Sequence, residues 1–449
     1  MAEKQSTKPA RGTRDFLPDD VRRREHVIRI VRGVYERYGF EPLETPAFEN
    51  IETLLGKYGE EGNKLIFKIL KRGEPEASGE ADLALRYDLT VPLARVVAQY
   101  QNDLPRFFKR YQIQPVWRAD RPARGRFREF FQCDIDSTGT TSPIVEAEIL
   151  GAVSEILTTL GFEDFAIRLN HRRVLTALLE KAGVPAALHG DALVALDKLD
   201  KIGADGVRKE FDARGISSAA ATAALAFFTS CATETPEGAL GRLAALLDGH
   251  EAVGNLSAIV ALTASTRAAG RIRVDPSLAR GLSYYNGAIM EIAVEGIGSL
   301  GGGGRYDNLI GMFLGREVPA CGFSLGLERI IVVMTERQMF PPSVVENAVD
   351  IVVTFLDDGS RGEALRLAGE LRQARLRVDV YPDATRKFDK PLKYASARGA
   401  RVMAIFGENE VTRGEASVRD LVSREQKSVP RTEAAAHIAR LVNPETLER

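Results

Sequence analysis

The stretch RGRFREFFQCDID, Arg124 to Asp136, puts Arg126, Arg128, Gln132, Asp134 and Asp136 on even positions. Its odd positions, Phe127, Glu129, Phe131, Cys133 and Ile135, are mostly apolar. Side chains alternate across a strand, so this pattern predicts a strand with one buried face and one strongly polar face. Upstream, FKRYQIQPVWRAD repeats it, with Arg110, Gln112, Gln114 and Arg118 even and Tyr111, Ile113 and Trp117 odd. Antiparallel pairing preserves side-chain parity, so a hairpin through ADRPARG gathers the even residues on one face. ADLALRYDLT alternates too, with Asp82, Ala84, Arg86, Asp88 and Thr90 on its even set, and is read as a third such strand. Three strands with cations and carboxylates on one face point to the floor of a site rather than to solvated surface.

The bulk numbers bound the function. At 449 residues there is room for roughly three domains. A formal charge of -1 argues against nucleic-acid binding by bulk positive charge, leaving local patches. Cys133, Cys231 and Cys321 are isolated and the five histidines form no ligand-spaced cluster, so neither zinc nor a disulfide framework is expected. No signal-like or membrane-length apolar run occurs, and the expected location is the cytoplasm.

Residues 1–10 are polar and expected to be disordered. A helix is predicted from Asp19 or Asp20, with Val27, Ile28, Val31, Val34, Tyr35 and Tyr38 at helical spacing and Gly39 at its end. From 172 to 267 the chain is Ala/Leu-rich and carries few candidate site residues, which reads as a helical insertion. Strands and glycine turns then return, and CGFSLGLERIIVVMTERQ passes from glycine spacing into a helix. Residues 348–449 follow a βαβαβ order and read as a separate open α/β domain. GIGSLG, Gly296 to Gly301, matches a dinucleotide-binding pattern, but GGGGRYD follows where a helix is required, so a glycine-rich hairpin turn is the better reading. His171 reads as a helix-start residue rather than a base.

Three motifs in order resemble those of the class II aminoacyl-tRNA synthetases: GFEPLETPAF with Pro46, VWRADRPARGRFREFFQCDID with Arg118, and CGFSLGLERI with Gly326, Glu328 and Arg329. Within that class ARGLSYYNG, GGGGRYDNL, RGTRDF and LRYDLTVP resemble the histidyl-tRNA synthetase family, although Ser283 stands where the family more often has aspartate. The resemblance implies an α+β catalytic domain over residues 11–340, built on a mixed, largely antiparallel sheet flanked by helices and interrupted by the insertion. It also implies a C-terminal α/β anticodon-binding domain and a homodimer. The implied reaction joins histidine to ATP, releasing pyrophosphate, and then passes the histidyl group to the 3′ end of tRNA(His).

That chemistry sets one anion against another, so neutralisation and in-line positioning must supply the catalysis. Arg118 suits the α-phosphate because guanidinium is always charged and fork-shaped. The resemblance assigns Arg280 to a bridge between substrate carboxylate and α-phosphate, and Arg329 to the outer phosphates. Arg126 is the motif-2 loop arginine favoured for ATP; Arg121 and Arg124 fit a solvated loop equally well. Asp88, Thr90 and Gln132 offer oxygens to the ammonium. Asp136 can accept an imidazole N–H, and Tyr284 or Tyr285 can donate to the other ring nitrogen, a pairing that leans on the resemblance. Asp134 has no assigned role and is expected to be exposed or paired with Arg110. Gly304 and Arg305 either line the pocket or form a turn; Phe127 and Phe131 are core residues first by parity, with base stacking, common in this class, the alternative. Mg²⁺ is expected to arrive on the ATP phosphates. The acceptor end and the anticodon arm of the tRNA are the expected macromolecular contacts, with ATRKFDKPLKYASARG offering a basic helix in the tail. A regulatory paralogue without catalysis, or a ligase for another amino acid, are the competing readings.

Overall fold

The computed structural model describes residues 6–71, 80–231, 234–279, 284–294, 296–345, 349–385 and 387–443. Arg280, Ser283 and the start of the polar N-terminal segment lie outside them. The chain divides into two compact units, at Met339/Phe340.

The first unit is built on an eight-stranded sheet. In chain order its strands are β1 (Glu41–Pro42), β2 (Phe108–Trp117), β3 (Glu129–Thr138), β4 (Phe165–His171), β5 (Ile272–Val274), β6 (Ala288–Val294), β7 (Gly298–Arg305) and β8 (Ala320–Gly326). Their spatial order is β1-β2-β3-β8-β7-β6-β4-β5. Only the two outermost pairings are parallel. The hairpin β2–β3 sets Arg110 opposite Asp136, Gln112 opposite Asp134 and Gln114 opposite Gln132, so the even residues do share one face.

The odd face of β3 is core. Helix α1 (Pro18–Arg37) starts with Pro18 and acidic Asp19 and Asp20, suited to a helix N-terminus, and buries Val27, Ile28, Val31, Val34 and Tyr35. The Tyr35 hydroxyl donates to the Cys133 carbonyl at 2.9 Å, tying α1 to the back of β3. Cys133 and Ile135 are fully buried. Between β4 and β5 the chain makes a helical excursion, from Arg172–Lys181 to Glu251–Thr263. His171 caps the first of these helices, its Nδ1 accepting from Arg173 N.

One expectation about elements needs correction. ADLALRYDLT is not a third strand of the large sheet. Its strand stops at Leu85, inside a separate three-stranded sheet, and helix α2 (Thr90–Gln99) follows. The cause is Asp88, whose Oδ1 accepts from Val91 N at 3.1 Å and satisfies an orphan donor of α2. GIGSLG does open a glycine-rich hairpin turn between β6 and β7, with Gly296 and Gly298 at positive φ, and Gly301–Gly304 continue as strand within β7. A β-carbon on Gly303 would stand 2.0 Å from the Gly322 carbonyl oxygen, so β7 approaches β8 too closely for side chains there.

Two further helices complete this unit around the site: α3 (Ile144–Thr159) and α4 (Leu327–Glu336), which follows directly from β8. The second unit has strands β9 (Ile351–Phe355), β10 (Val378–Val380), β11 (Val402–Phe406), β12 (Glu415–Asp420) and β13 (Gln426–Pro430), in the order β10-β9-β11-β12-β13. The first three are parallel, with helices on both faces, as a βαβαβ order requires. The antiparallel hairpin β12–β13 extends that sheet.

Candidate active site

The polar face of β3 is the floor of a cavity of about 440 Å³. Across β8 its residues face small ones: Asp136 opposite Gly322, Asp134 opposite Ser324, Gln132 opposite Gly326. Asp88, Thr90, Arg118, Arg126, Gln132, Asp136, Tyr284, Tyr285 and Arg329 all line this one cavity, although they come from distant parts of the chain.

Three buried carboxylates dominate its inner end. Asp88 takes hydroxyl hydrogen bonds from Tyr58 at 2.9 Å and Tyr284 at 3.1 Å, besides the cap to Val91. Burial pushes its carboxyl above the usual range, against those hydrogen bonds and the charge of Arg118. Asp88 and Thr90 therefore meet at a strand-to-helix turn rather than on a strand face, and the Thr90 hydroxyl bonds Tyr284. Asp136 accepts from the Tyr306 hydroxyl and pairs with Arg110 at 2.8 Å, both partners being essentially inaccessible. Each carboxylate oxygen has two lone pairs, so Asp136 keeps acceptor capacity for a ligand. Burial pushes its carboxyl up, while Arg110 opposes the shift.

Asp134 is neither exposed nor the ion-pair partner of Arg110. It is 2% exposed, and the register opposes it to Gln112, which gives Arg110 to Asp136 instead. Burial raises its pKa to about 7, with Arg110 opposing and Asp136 adding to the rise.

The outer end is cationic. Arg118 anchors Nε on the Tyr87 carbonyl at 2.9 Å, and its guanidinium lies over the Tyr87 and Phe130 rings, 4.3 and 5.2 Å from their centroids. Arg126 is 47% exposed, with Asp120 at 3.9 Å, and remains available to a ligand. Arg124 instead pairs with Glu336 on α4 and does not line the cavity. Arg329 donates to the Ser299 carbonyl from the first turn of α4. Its neighbour Glu328 turns the other way: both carboxylate oxygens accept from Phe131 N, and Arg14 stands at 3.8 Å.

Gly304 and Arg305 lie in the strand, not in a turn, and neither lines this cavity. Parity again explains the split. Arg305 projects to the helix side and forms a buried bidentate pair with Glu146 of α3, at 2.7 and 2.8 Å. Gly304 leaves room on the site side, where a β-carbon would meet the Tyr285 ring at 2.9 Å.

Phe130, Tyr306, Ser324 and Tyr58 are among the lining residues that the sequence did not single out. Phe130 was legible, because it belongs to the even set of β3. Tyr306 follows the glycine run directly, and Ser324 occupies the site face of β8. Tyr58 comes from a short helical region with no pattern to announce it.

The histidyl-tRNA synthetase family model matches residues 12–330, and that of an anticodon-binding domain matches residues 349–441. A histidine–tRNA ligase of Gloeobacter violaceus is 42% identical, over 95% of this chain and 97% of that one. One of Flavobacterium johnsoniae is 40% identical, over 94% and 98%. The crystal structure of histidyl-tRNA synthetase from a Nostoc species superposes with a TM-score of 0.78 at 30% identity, covering 97% of this chain and all of that one. With a cavity that joins a carboxylate-lined end to an arginine-lined one, and relatives that match nearly end to end, this chain belongs to the histidyl-tRNA synthetase family.

Proposed function

We propose that the chain is a histidine–tRNA ligase and that both half-reactions run in the cavity over β3. The observation that carries this reading is the division of the cavity into a buried anionic end and a cationic end. A zwitterion can place its ammonium toward the aspartates and its carboxylate toward the arginines, where the α-phosphate must also lie. Asp88, Thr90 and Gln132 hold the ammonium. Asp136 accepts one imidazole N–H, and Tyr284 or Tyr285 answers the other ring nitrogen; such pairing rejects apolar analogues because unpaired buried groups are costly.

Arg118 holds the α-phosphate, and its stacking on Tyr87 and Phe130 fixes the guanidinium before ATP arrives. Arg126 and Arg329 take the outer phosphates. Arg280, in the role the family resemblance gives it, bridges the substrate carboxylate and the α-phosphate. Attack of the carboxylate oxygen on that phosphorus expels pyrophosphate, and charge neutralisation lowers the barrier. ATP carries Mg²⁺ on its phosphates as part of the substrate. The 3′ end of tRNA(His) then takes the acyl group. The second unit contacts the anticodon arm, two copies associate through the region of Pro46, and the protein works in the cytoplasm.

ATP–pyrophosphate exchange with each of the twenty amino acids tests the reading. Exchange with histidine alone is expected. Exchange with another amino acid overturns the pocket assignment, and histidine binding without exchange points to a regulatory paralogue. Arg280→Ala should abolish exchange; near wild-type activity would remove the bridging role. Tyr285→Phe should relax selectivity for histidine.

A further inference from the structure

The cavity floor holds more carboxylate than these roles use. Asp88 already receives three donors, and Asp136 accepts from Tyr306 through Oδ1 and ion-pairs with Arg110 through Oδ2. Asp134 differs: Ser324 is its hydrogen-bond partner, and its Oδ1 has neither a hydrogen-bond nor an ion-pair partner among the described residues. Gln132 donates Nε2 to Ser324 Oγ at 2.7 Å, and its Oε1 likewise has no hydrogen-bond partner among them. Both residues are over nine-tenths buried and both line the cavity. A buried acceptor left unpaired is destabilising, and more so when charged. Two such acceptors on neighbouring even positions of one strand form a cradle for a group with several N–H donors.

We propose that Asp134 is an amino-acid-binding residue of this site, its Oδ1 and Gln132 Oε1 accepting two N–H bonds of the substrate α-ammonium, and that in the empty site the Asp134 carboxyl holds a proton which the ammonium displaces. The proposal rests on the ligase reading and adds a residue and a proton to it. The step balances: a neutral carboxyl and an ammonium become a carboxylate–ammonium pair, and one proton passes to water. No covalent bond to the substrate changes.

The surroundings favour this exchange. From β2, Arg110 stabilises the charged form; from β3 and the turn before α2, Asp136 and Asp88 oppose it; from β8, the Ser324 hydroxyl supports it. Cys133 beside it and Tyr35 on α1 both feel its charge, and burial holds each of them neutral. Arg118 acts on Asp88 from the outer end, while Asp134 and Asp136 share the single buried guanidinium of Arg110, and the ammonium supplies the missing positive charge.

Calorimetric titration of the full chain with L-histidine, without ATP, in phosphate and in Tris near pH 7, counts the protons released. Wild type is expected to release roughly half a proton more per histidine than Asp134→Asn, as a group titrating near that pH requires. The variant should bind histidine at least tenfold more weakly while its KM for ATP in exchange stays unchanged. Equal proton release by the two proteins overturns the proposal, whether or not affinity falls, because a merely structural role would weaken binding without moving the proton count. If Asp134→Asn fails to fold, Ser324→Ala decides: loss of that hydroxyl should raise proton release at pH 8 above wild type, and no change overturns the proposal. If wild type binds another amino acid instead of histidine, the ligase assignment fails, and the same comparison with that amino acid still judges Asp134.

Discussion

Gly322 faces Asp136 across β8 and β3 so closely that a β-carbon on Gly322 would stand 1.9 Å from the Asp136 Oδ1. The carboxylate holding the Tyr306 hydroxyl thus occupies the volume that any other residue at 322 would fill. Gly322→Ala must displace Asp136, at a cost of about 1–3 kcal/mol for overpacking. The expected outcome is a Tm lower by a few degrees and a KM for histidine raised at least tenfold, with KM for ATP little changed. An alanine variant with wild-type KM for histidine would show that Asp136 does not touch the amino acid.

Phe130 stacks on Arg118 at the mouth of the site. Phe130→Ala removes that support together with a flat apolar face that lines the cavity and that the proposed ATP site would offer to a base. Stacking of this kind contributes about 1–3 kcal/mol per base, so KM for ATP should rise roughly tenfold. Exchange kinetics at saturating histidine would reveal it, and an unchanged KM would leave Phe130 with packing alone.

Arg305 and Glu146 form a bidentate pair with almost no solvent access. Glu146→Gln leaves the buried guanidinium with Asp307 as its remaining carboxylate partner, which costs up to about 3–5 kcal/mol. Urea unfolding should show that loss, and a double variant, Glu146→Met with Arg305→Met, should recover most of it. A single variant as stable as wild type would contradict the pair's burial.

Burial raises the Glu328 carboxyl to about 7, against the opposing pull of the Phe131 N–H and the Arg14 charge. Its folded pKa exceeds the unfolded 4.5, so the folded state binds the proton more tightly. That contribution is fully present below pH 4.5 and lost as pH rises through 7. Glu328→Gln lacks it, and should gain on wild type by on the order of 3 kcal/mol between those limits. Urea midpoints of both proteins at the two ends would measure the gain; a constant difference between them would remove Glu328 as the titrating group.

What the sequence made legible was parity. Alternation in β2 and β3 yields the floor of the cavity before any coordinate, because a strand has two faces and antiparallel pairing keeps them apart. The same rule, carried one step further, accounts for Phe130 on the site side and Arg305 on the helix side. It failed at Asp88, where alternation continued past the strand's end while the side chain was capping a helix. It failed differently at Asp134: a register offset of two residues decides which aspartate meets Arg110, and composition does not carry register. Tyr58 reaches Asp88 from thirty residues upstream in sequence. That meeting is set by the packing of a separate small sheet, which no local pattern encodes.

The glycine run of β7 also bears on inhibition. Gly301 and Gly302 line the cavity with backbone alone. At Gly301 a β-carbon would sit 2.5 Å from the Ser324 carbonyl oxygen. A compound packed flat against that backbone would rest on atoms that every variant retains, at a position where added bulk parts two strands. Escape mutations would then be pushed onto the flanking side chains that must also handle the natural substrates, so resistance would come coupled to a loss of fitness.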